Sequence, residues 1–330
     1  MSEILRGMHE RAKRQEARIL FPESGDERVL AAALQLKEDG LGEPIMVHAT
    51  HADVSAMTDA GLTRVGVDEI RAAELEKLLL ELRGKKGLSP EEARTLARDP
   101  LIYAMYLLRI GEADALVAGA VHPTADVVRA GLWLTEKAPG IESISSSFYM
   151  LVPPFRGGEK EEVLTFADCG VIPEPTSGQL ADIAIAAADA RRFVVGDQPV
   201  VAFLSYSTKG SGGDGTSPSR VREAISMVKA RRPDIILIDD ESQGDAVLKA
   251  AVGLRKGLPE EIAGKANVLV FPSLDAGNIA YKLVETLVPG AKAIGPILHG
   301  FSKPINDLSR GASVEDIKHS ATIAALQVKK

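Results

Sequence analysis

The stretch Pro199-Val200-Val201-Ala202-Phe203-Leu204 runs through Ser205-Tyr206-Ser207-Thr208-Lys209 into Gly210-Ser211-Gly212-Gly213-Asp214-Gly215-Thr216-Ser217, then a helical segment from Ser219 to Ala230 and a second apolar run, Ile235-Ile236-Leu237-Ile238-Asp239. Both apolar runs are short, rich in Val and Ile, and end at turn signals, as strands buried on both faces of a parallel sheet do. Strand, loop, helix and strand in that order read as an α/β fold. The alternation spreads in both directions. Arg18-Ile19-Leu20-Phe21-Pro22, Pro44-Ile45-Met46-Val47, Asp114-Ala115-Leu116-Val117-Ala118 and Asn267-Val268-Leu269-Val270-Phe271 read as further strands. Helices are expected over 27–39, closed by Gly40, and over about 68–83, 101–110, 179–192 and 277–287. Ser89-Pro90-Glu91-Glu92 is a capping box with proline at the first helical position.

One region breaks the rhythm. Ser143 to Val152 and Glu162 to Asp168 are strand-like segments flanking Pro153-Pro154-Phe155-Arg156-Gly157-Gly158, which predicts an antiparallel pair and a domain boundary at its start.

Composition narrows the function. The 330 residues are 45% apolar and 26% charged, with 30 Gly and 18 Pro in no strict period, so disorder, collagen and coiled coil are excluded. No run approaches the roughly 18 apolar residues of a membrane span. Met1 to Glu16 has no apolar h-region or cleavage site, so export is not expected, and the single cysteine, Cys169, suits a reducing cytoplasm. A net charge of -7 argues against nucleic acid as a partner. An anionic ligand would have to be met by cations gathered locally.

Gly210, Gly212 and Gly215 satisfy G-x-G-x-x-G, but five residues separate the strand from the first glycine, unlike a dinucleotide site, and no Gly-Lys-Ser/Thr follows to make a P-loop. Hydroxyls, one ammonium and glycine amides beyond a strand end instead suggest an anion-binding loop, with a plain solvated loop as the alternative. A second constellation spans Gly295-Pro296-Ile297-Leu298-His299-Gly300, Lys303 to Gly311 and Ser313-Val314-Glu315-Asp316-Ile317, read as a long polar loop entering a helix. Ser313-x-x-Asp316 is explicable as a capping box. Ser309 and Arg310 together could clamp an oxyanion or phosphate, although loop arginines are commonly just solvated. Metal binding is not expected, because His48, His51, His122, His299 and His319 form neither His-x-x-x-His nor His-Glu-x-x-His. Cys169 reads as a buried small hydrophobe, and Trp133 as packing within a helix, with adenine stacking as the alternative.

Several strings, in order along nearly the whole chain, resemble those of the phosphate acetyltransferases (phosphotransacetylases). They are Phe21-Pro22-Glu23, Gly111-Glu112-Ala113-Asp114 with Val117-Ala118-Gly119-Ala120, Leu204 to Ser211, Gly264-Lys265-Ala266-Asn267-Val268, Gly277 to Leu283, and above all Lys303-Pro304-Ile305-Asn306-Asp307-Leu308-Ser309-Arg310-Gly311. The resemblance implies a two-domain α/β enzyme with mainly parallel sheets, the fold of isocitrate and isopropylmalate dehydrogenases, an interdomain cleft, and a homodimer. It places residues 1–142 with 299–330 in one domain and 143–298 in the other. It also implies transfer of an acetyl group between acetyl phosphate and coenzyme A, with CoA as a substrate and no cofactor.

By the same resemblance, Asp316 is the base that takes the thiol proton of CoA, Arg310 stabilises charge in the transition state, and Ser309 hydrogen-bonds beside it. Arg83 and Arg129 match arginines that hold substrate anions, and Ser207, Thr208 and Lys209 lie in the anion loop. The chain departs from the pattern at Glu285-Thr286, where Gln-Arg is expected, at Asp239-Asp240-Glu241-Ser242-Gln243, and at Pro153 to Gly158, which leaves the acyl chain open. Competing readings are a non-catalytic acyl-CoA-binding regulatory module, an acyltransferase preferring longer chains, and a metal- and NAD-dependent dehydrogenase suggested by fold alone.

Overall fold

A computed structural model describes residues 3–49 and 61–328. The chain divides into two compact units, Glu3–Pro139 with the segment from Phe301 onward, and Gly140–Gly300.

The first unit is built on five parallel strands: β1 (Arg18–Phe21), β2 (Glu43–His48), β3 (Thr63–Gly66), β4 (Ala115–Ala118) and β11 (Ile305–Asp307), in the order β11-β4-β1-β2-β3. Leu20 lies opposite both Ile45 and Leu116, and every residue of β4 is buried, which is why these runs are continuously apolar. Helices α1 (Glu3–Lys13), α2 (Glu27–Glu38), α3 (Glu69–Arg83), α4 (Pro90–Leu96), α5 (Pro100–Arg109) and α6 (Thr124–Leu134) connect or flank these strands. Their starts are written in the sequence: Asp26, Asp68 and Asp99 each accept two backbone N–H groups at an N-cap, and the Ser89–Glu92 box opens α4.

In the second unit, β5 (Ser145–Val152) and β6 (Glu162–Ala167) pair antiparallel, as the interrupted rhythm predicts. After β6 come α7 (Ser177–Val194), β7 (Val200–Phe203), α8 (Thr216–Arg231), β8 (Ile236–Leu237), the short α9 (Gly244–Leu248) and α10 (Ala250–Arg255), β9 (Val268–Val270), α11 (Leu274–Leu287) and β10 (Lys292–His299). The sheet order is β10-β5-β6-β9-β7-β8, antiparallel at its first two pairings and parallel beyond. Phe148, Met150, Leu269, Phe271 and Tyr281 share one core, with Phe148 and Tyr281 stacked at 3.9 Å. Gly277 lets α11 approach closely: a Cβ there would strike Asp168 O and Cys169 Sγ. Cys169 is buried, and burial pushes its thiol well above the ordinary range.

The long polar loop expected over 295–317 is corrected in part. Gly295–His299 belongs to β10, and Ile305–Asp307 is β11. β10 is an edge strand whose register shifts between Ile294 and Ile297, and this irregularity accommodates Pro296. The chain then enters the final helix, α12 (Val314–Gln327). Among the described residues, no helix is long and apolar enough to cross a membrane.

Candidate active site

In the first sheet the chain runs from β1 outward to β2 and β3, then returns to place β4 on the other side of β1. The order therefore reverses between β1 and β4, and ligands of open α/β sheets bind beyond the carboxyl ends of strands at such a point. Glu23 follows β1, Gly119–His122 follows β4, and Leu308–Arg310 follows β11, so all three turns lie on this edge.

The turn after β4 presents successive backbone N–H groups, and the Glu23 carboxylate fills them. It accepts from Gly119 N at 3.1 and 3.0 Å, Ala120 N at 2.8 Å, Val121 N at 3.0 Å and His122 N at 2.8 Å, with the His122 ring nitrogen Nδ1 at 2.8 Å. Burial opposes the charge, yet the His122 ring and these amides outweigh it and hold Glu23 below the ordinary carboxylate range. The reciprocal bond raises His122 against its own burial. Asp307, fully buried, accepts from Thr124 Oγ1 at 2.5 Å through Oδ2, while Oδ1 has no partner. Burial, helped by nearby Glu23, pushes Asp307 up to about 7. Only glycine fits at 119, because a Cβ would collide with Asp307 Oδ1 and the Leu308 backbone, and its φ is +110°.

Arg28 ties these turns together. Nε and Nη2 donate to the two oxygens of Asp26 at 3.1 and 2.8 Å, Nη2 to Ala120 O at 3.1 Å, and Nη1 to Arg310 O at 2.9 Å and Ala312 O at 3.0 Å. One guanidinium thus fixes the backbone of the loop that carries Ser309 and Arg310, whose side chains remain exposed. Ser309 Oγ accepts from Gly311 N at 3.3 Å. Asp316 performs the capping role its spacing allows: Oδ2 accepts from Ser313 N at 2.9 Å and Ser313 Oγ at 2.7 Å. It is nonetheless exposed, one helical turn from the Arg310 loop.

Arg83 and Arg129 meet at Trp133. Arg83 Nη2 donates to Leu132 O at 3.2 Å with its guanidinium 5.1 Å from the indole centroid, and Arg129, paired with Asp126 at 2.6 Å, stands 6.0 Å from the same ring.

In the second unit, the glycine loop after β7 encloses an anion of its own. Ser207 Oγ donates to Glu241 Oε1 at 2.8 Å, Gly210 N donates to it at 2.8 Å and Arg222 Nη1 at 3.1 Å, while Gly212 N donates to Ser207 Oγ at 2.9 Å. Burial would raise Glu241, but the Ser207 hydroxyl and Gly210 amide prevail and keep it low. Thr208 Oγ1 donates to Gln243 Oε1 at 3.3 Å and accepts from Gln243 N at 3.0 Å, and Lys209 Nζ reaches Gly257 O at 2.6 Å. Ser207 and Thr208 are buried and their hydroxyls are engaged within the loop, whereas Lys209 is exposed. The altered Asp239–Gln243 string thus supplies the two side chains, Glu241 and Gln243, that shape this loop. Glu285, at the other departure, accepts from Ala293 N at 3.1 Å.

Each unit therefore holds one backbone-amide cradle at a strand end, and each cradle is filled by a glutamate of the chain itself. Both cradles are thereby engaged within the chain, while the side chains of Arg310 and Arg129 stay exposed. Sequence reasoning missed Arg28, Glu23 as a cradle anion, and Asp307; the available signal was that Glu23, Gly119 and Asp307 all stand within two residues of a predicted strand or inside the Lys303–Gly311 string. Among the described residues, no group of three or more His, Cys, Asp or Glu could hold a metal ion. His51 lies outside the described residues.

The parallel sheet, with its turns gathered at the carboxyl edge, defines an α/β protein, and comparison with known proteins supplies its family. Residues 3–325 match the family described as Phosphate acetyl/butaryl transferase. The chain is 40% identical to the phosphate acetyltransferase of Clostridium acetobutylicum, covering 99% of each chain, and 42% identical to that of Paracoccus denitrificans, covering 98% of each. A crystal structure of a phosphotransacetylase from Streptococcus pyogenes superposes with a TM-score of 0.88 at 37% identity, covering 99% of both chains. The chain belongs to the phosphate acetyl/butaryl transferase family.

Proposed function

We propose that this chain is a phosphate acetyltransferase that moves an acetyl group reversibly between acetyl phosphate and CoA. The observation that carries the reading is the Ser309–Arg310 loop held by Arg28 at the carboxyl edge of the first sheet, in a chain similar to phosphate acetyltransferases over almost its whole length.

Asp316 takes the CoA thiol proton as sulfur attacks the acetyl carbon. A carboxylate is a weaker base than a thiolate, so proton transfer is coupled to C–S bond formation rather than completed before it. The acetyl C–O bond to phosphate then breaks and inorganic phosphate leaves. The Arg310 guanidinium neutralises charge on the carbonyl oxygen or departing phosphate, and Ser309 hydrogen-bonds beside it. Attack within a ternary complex requires no acyl-enzyme, and proximity supplies much of the acceleration. Arg83 and Arg129 hold anionic groups of CoA, while Lys209 meets substrate from the glycine loop that Ser207 and Thr208 shape. We also read the enzyme as a cytoplasmic homodimer; Ile279, Leu283 and Leu287, exposed at four-residue spacing on α11, support an apolar contact between copies.

The test follows thioester formation from CoA with acetyl, propionyl and butyryl phosphate, using purified protein without added metal. Turnover fastest with acetyl phosphate is the expected result. Faster turnover with butyryl phosphate would make it a longer-chain acyltransferase, and CoA binding without turnover of any donor would make it a regulatory module.

A further inference from the structure

Trp133 is the only tryptophan in the chain. It sits half-buried in the last turn of α6, and two guanidiniums converge on it. Arg83 arrives from the end of α3 and Arg129 from one turn earlier on α6. Like charges crowded in this way repel, and two features offset the repulsion. The indole face attracts each cation, and Asp126 accepts a hydrogen bond from Arg129. Arg83 is further fixed by its bond to Leu132 O, while its buried Nε has no partner, so the ring supplies much of what orients this side chain.

We propose that Trp133 is the positioning residue of a two-cation clamp, its indole holding Arg83 and Arg129 in preset orientations for a ligand that carries phosphate groups at two points, as CoA does. The inference rests on the reading of Arg83 and Arg129 as CoA-binding residues. Trp133 acts through the arginines, so its removal changes the recognition of CoA more than that of acetyl phosphate. Preorganisation is the gain: side chains already ordered lose less freedom when the ligand arrives.

Two variants and one spectroscopic measurement test the clamp. Trp133→Leu removes the aromatic face and should raise KM for CoA roughly tenfold, the cost of ordering two arginine side chains that the ring no longer presets, while KM for acetyl phosphate and kcat change less than about threefold. Trp133→Phe keeps a face and should stay within about threefold of the parent in every parameter. Unchanged KM for CoA in a folded Trp133→Leu protein would overturn the clamp, and so would an equal loss in both KM values and kcat, the mark of general distortion. In the unaltered enzyme the single tryptophan should change its emission on titration with CoA, and Arg83→Ala and Arg129→Ala should each weaken the response. Emission indifferent to CoA in an enzyme that forms thioester would refute the clamp and leave the activity standing. A CoA-dependent change in a protein that forms no thioester would do the reverse.

Discussion

Replacing Asp307 by Asn tests the electrostatics of the carboxyl edge of the first sheet. The carboxyl is fully buried, its Oδ1 is unpartnered, and its folded value stands near 7 against an ordinary 3.8. Between these values the native chain keeps a proton that the unfolded chain has released, so stability falls as pH rises through the window. Each pKa unit corresponds to about 1.4 kcal/mol, and the interval from pH 5 to 7 captures about two units, or roughly 3 kcal/mol. The asparagine variant carries no titrating group there, and its amide oxygen can still accept from Thr124. Urea denaturation at pH 5 and pH 8 should therefore show the variant gaining roughly 3 kcal/mol on the parent between the two conditions. A difference between variant and parent that stays constant across that range would refute the reasoning, since it would mean that Asp307 does not titrate there.

Arg28→Lys keeps the charge but loses the fork that reaches Arg310 O, Ala312 O and Ala120 O, so kcat should fall on the order of tenfold while the circular dichroism spectrum is preserved. Glu23→Gln turns an acceptor-only group in a cradle of N–H donors into one carrying donors of its own, and should cost about 3 kcal/mol at pH 7 by urea denaturation. Glu23 has a lowered folded value, so its contribution is present above the ordinary 4.5 and disappears as pH falls through the folded value; the penalty of Glu23→Gln should shrink in that acid range.

Much of this architecture is legible in the sequence. β1, β2, β4, β7 and β9 are interior strands that announce themselves as short apolar runs, and Asp26, Ser89, Thr176 and Ser313 mark helix starts chemically. β3 does not, because Thr63-Arg64-Val65-Gly66 is an exposed edge whose polarity hides it. β10 is hidden by Gly295-Pro296, and β11 by Asn306 and Asp307, polar residues in a fully buried strand. At the site, Asp316 is readable as a cap from four residues of local sequence. Arg28 is not, since two of its carbonyl partners lie about 280 positions away and backbone oxygens carry no residue signature. The glycine loop is recognisable as an anion cradle, but only the fold reveals that Glu241, some 30 residues on, already occupies it.

The most direct test of the catalytic account is kcat for thioester formation in Asp316→Asn. Asparagine retains an oxygen to accept from Ser313, so the start of α12 should survive while the proton acceptor is lost. The expected result is a fall in kcat of at least about a hundredfold with KM little changed and the thermal midpoint nearly preserved. Turnover equal to that of the parent enzyme would contradict it, and would leave Asp316 a helix cap alone.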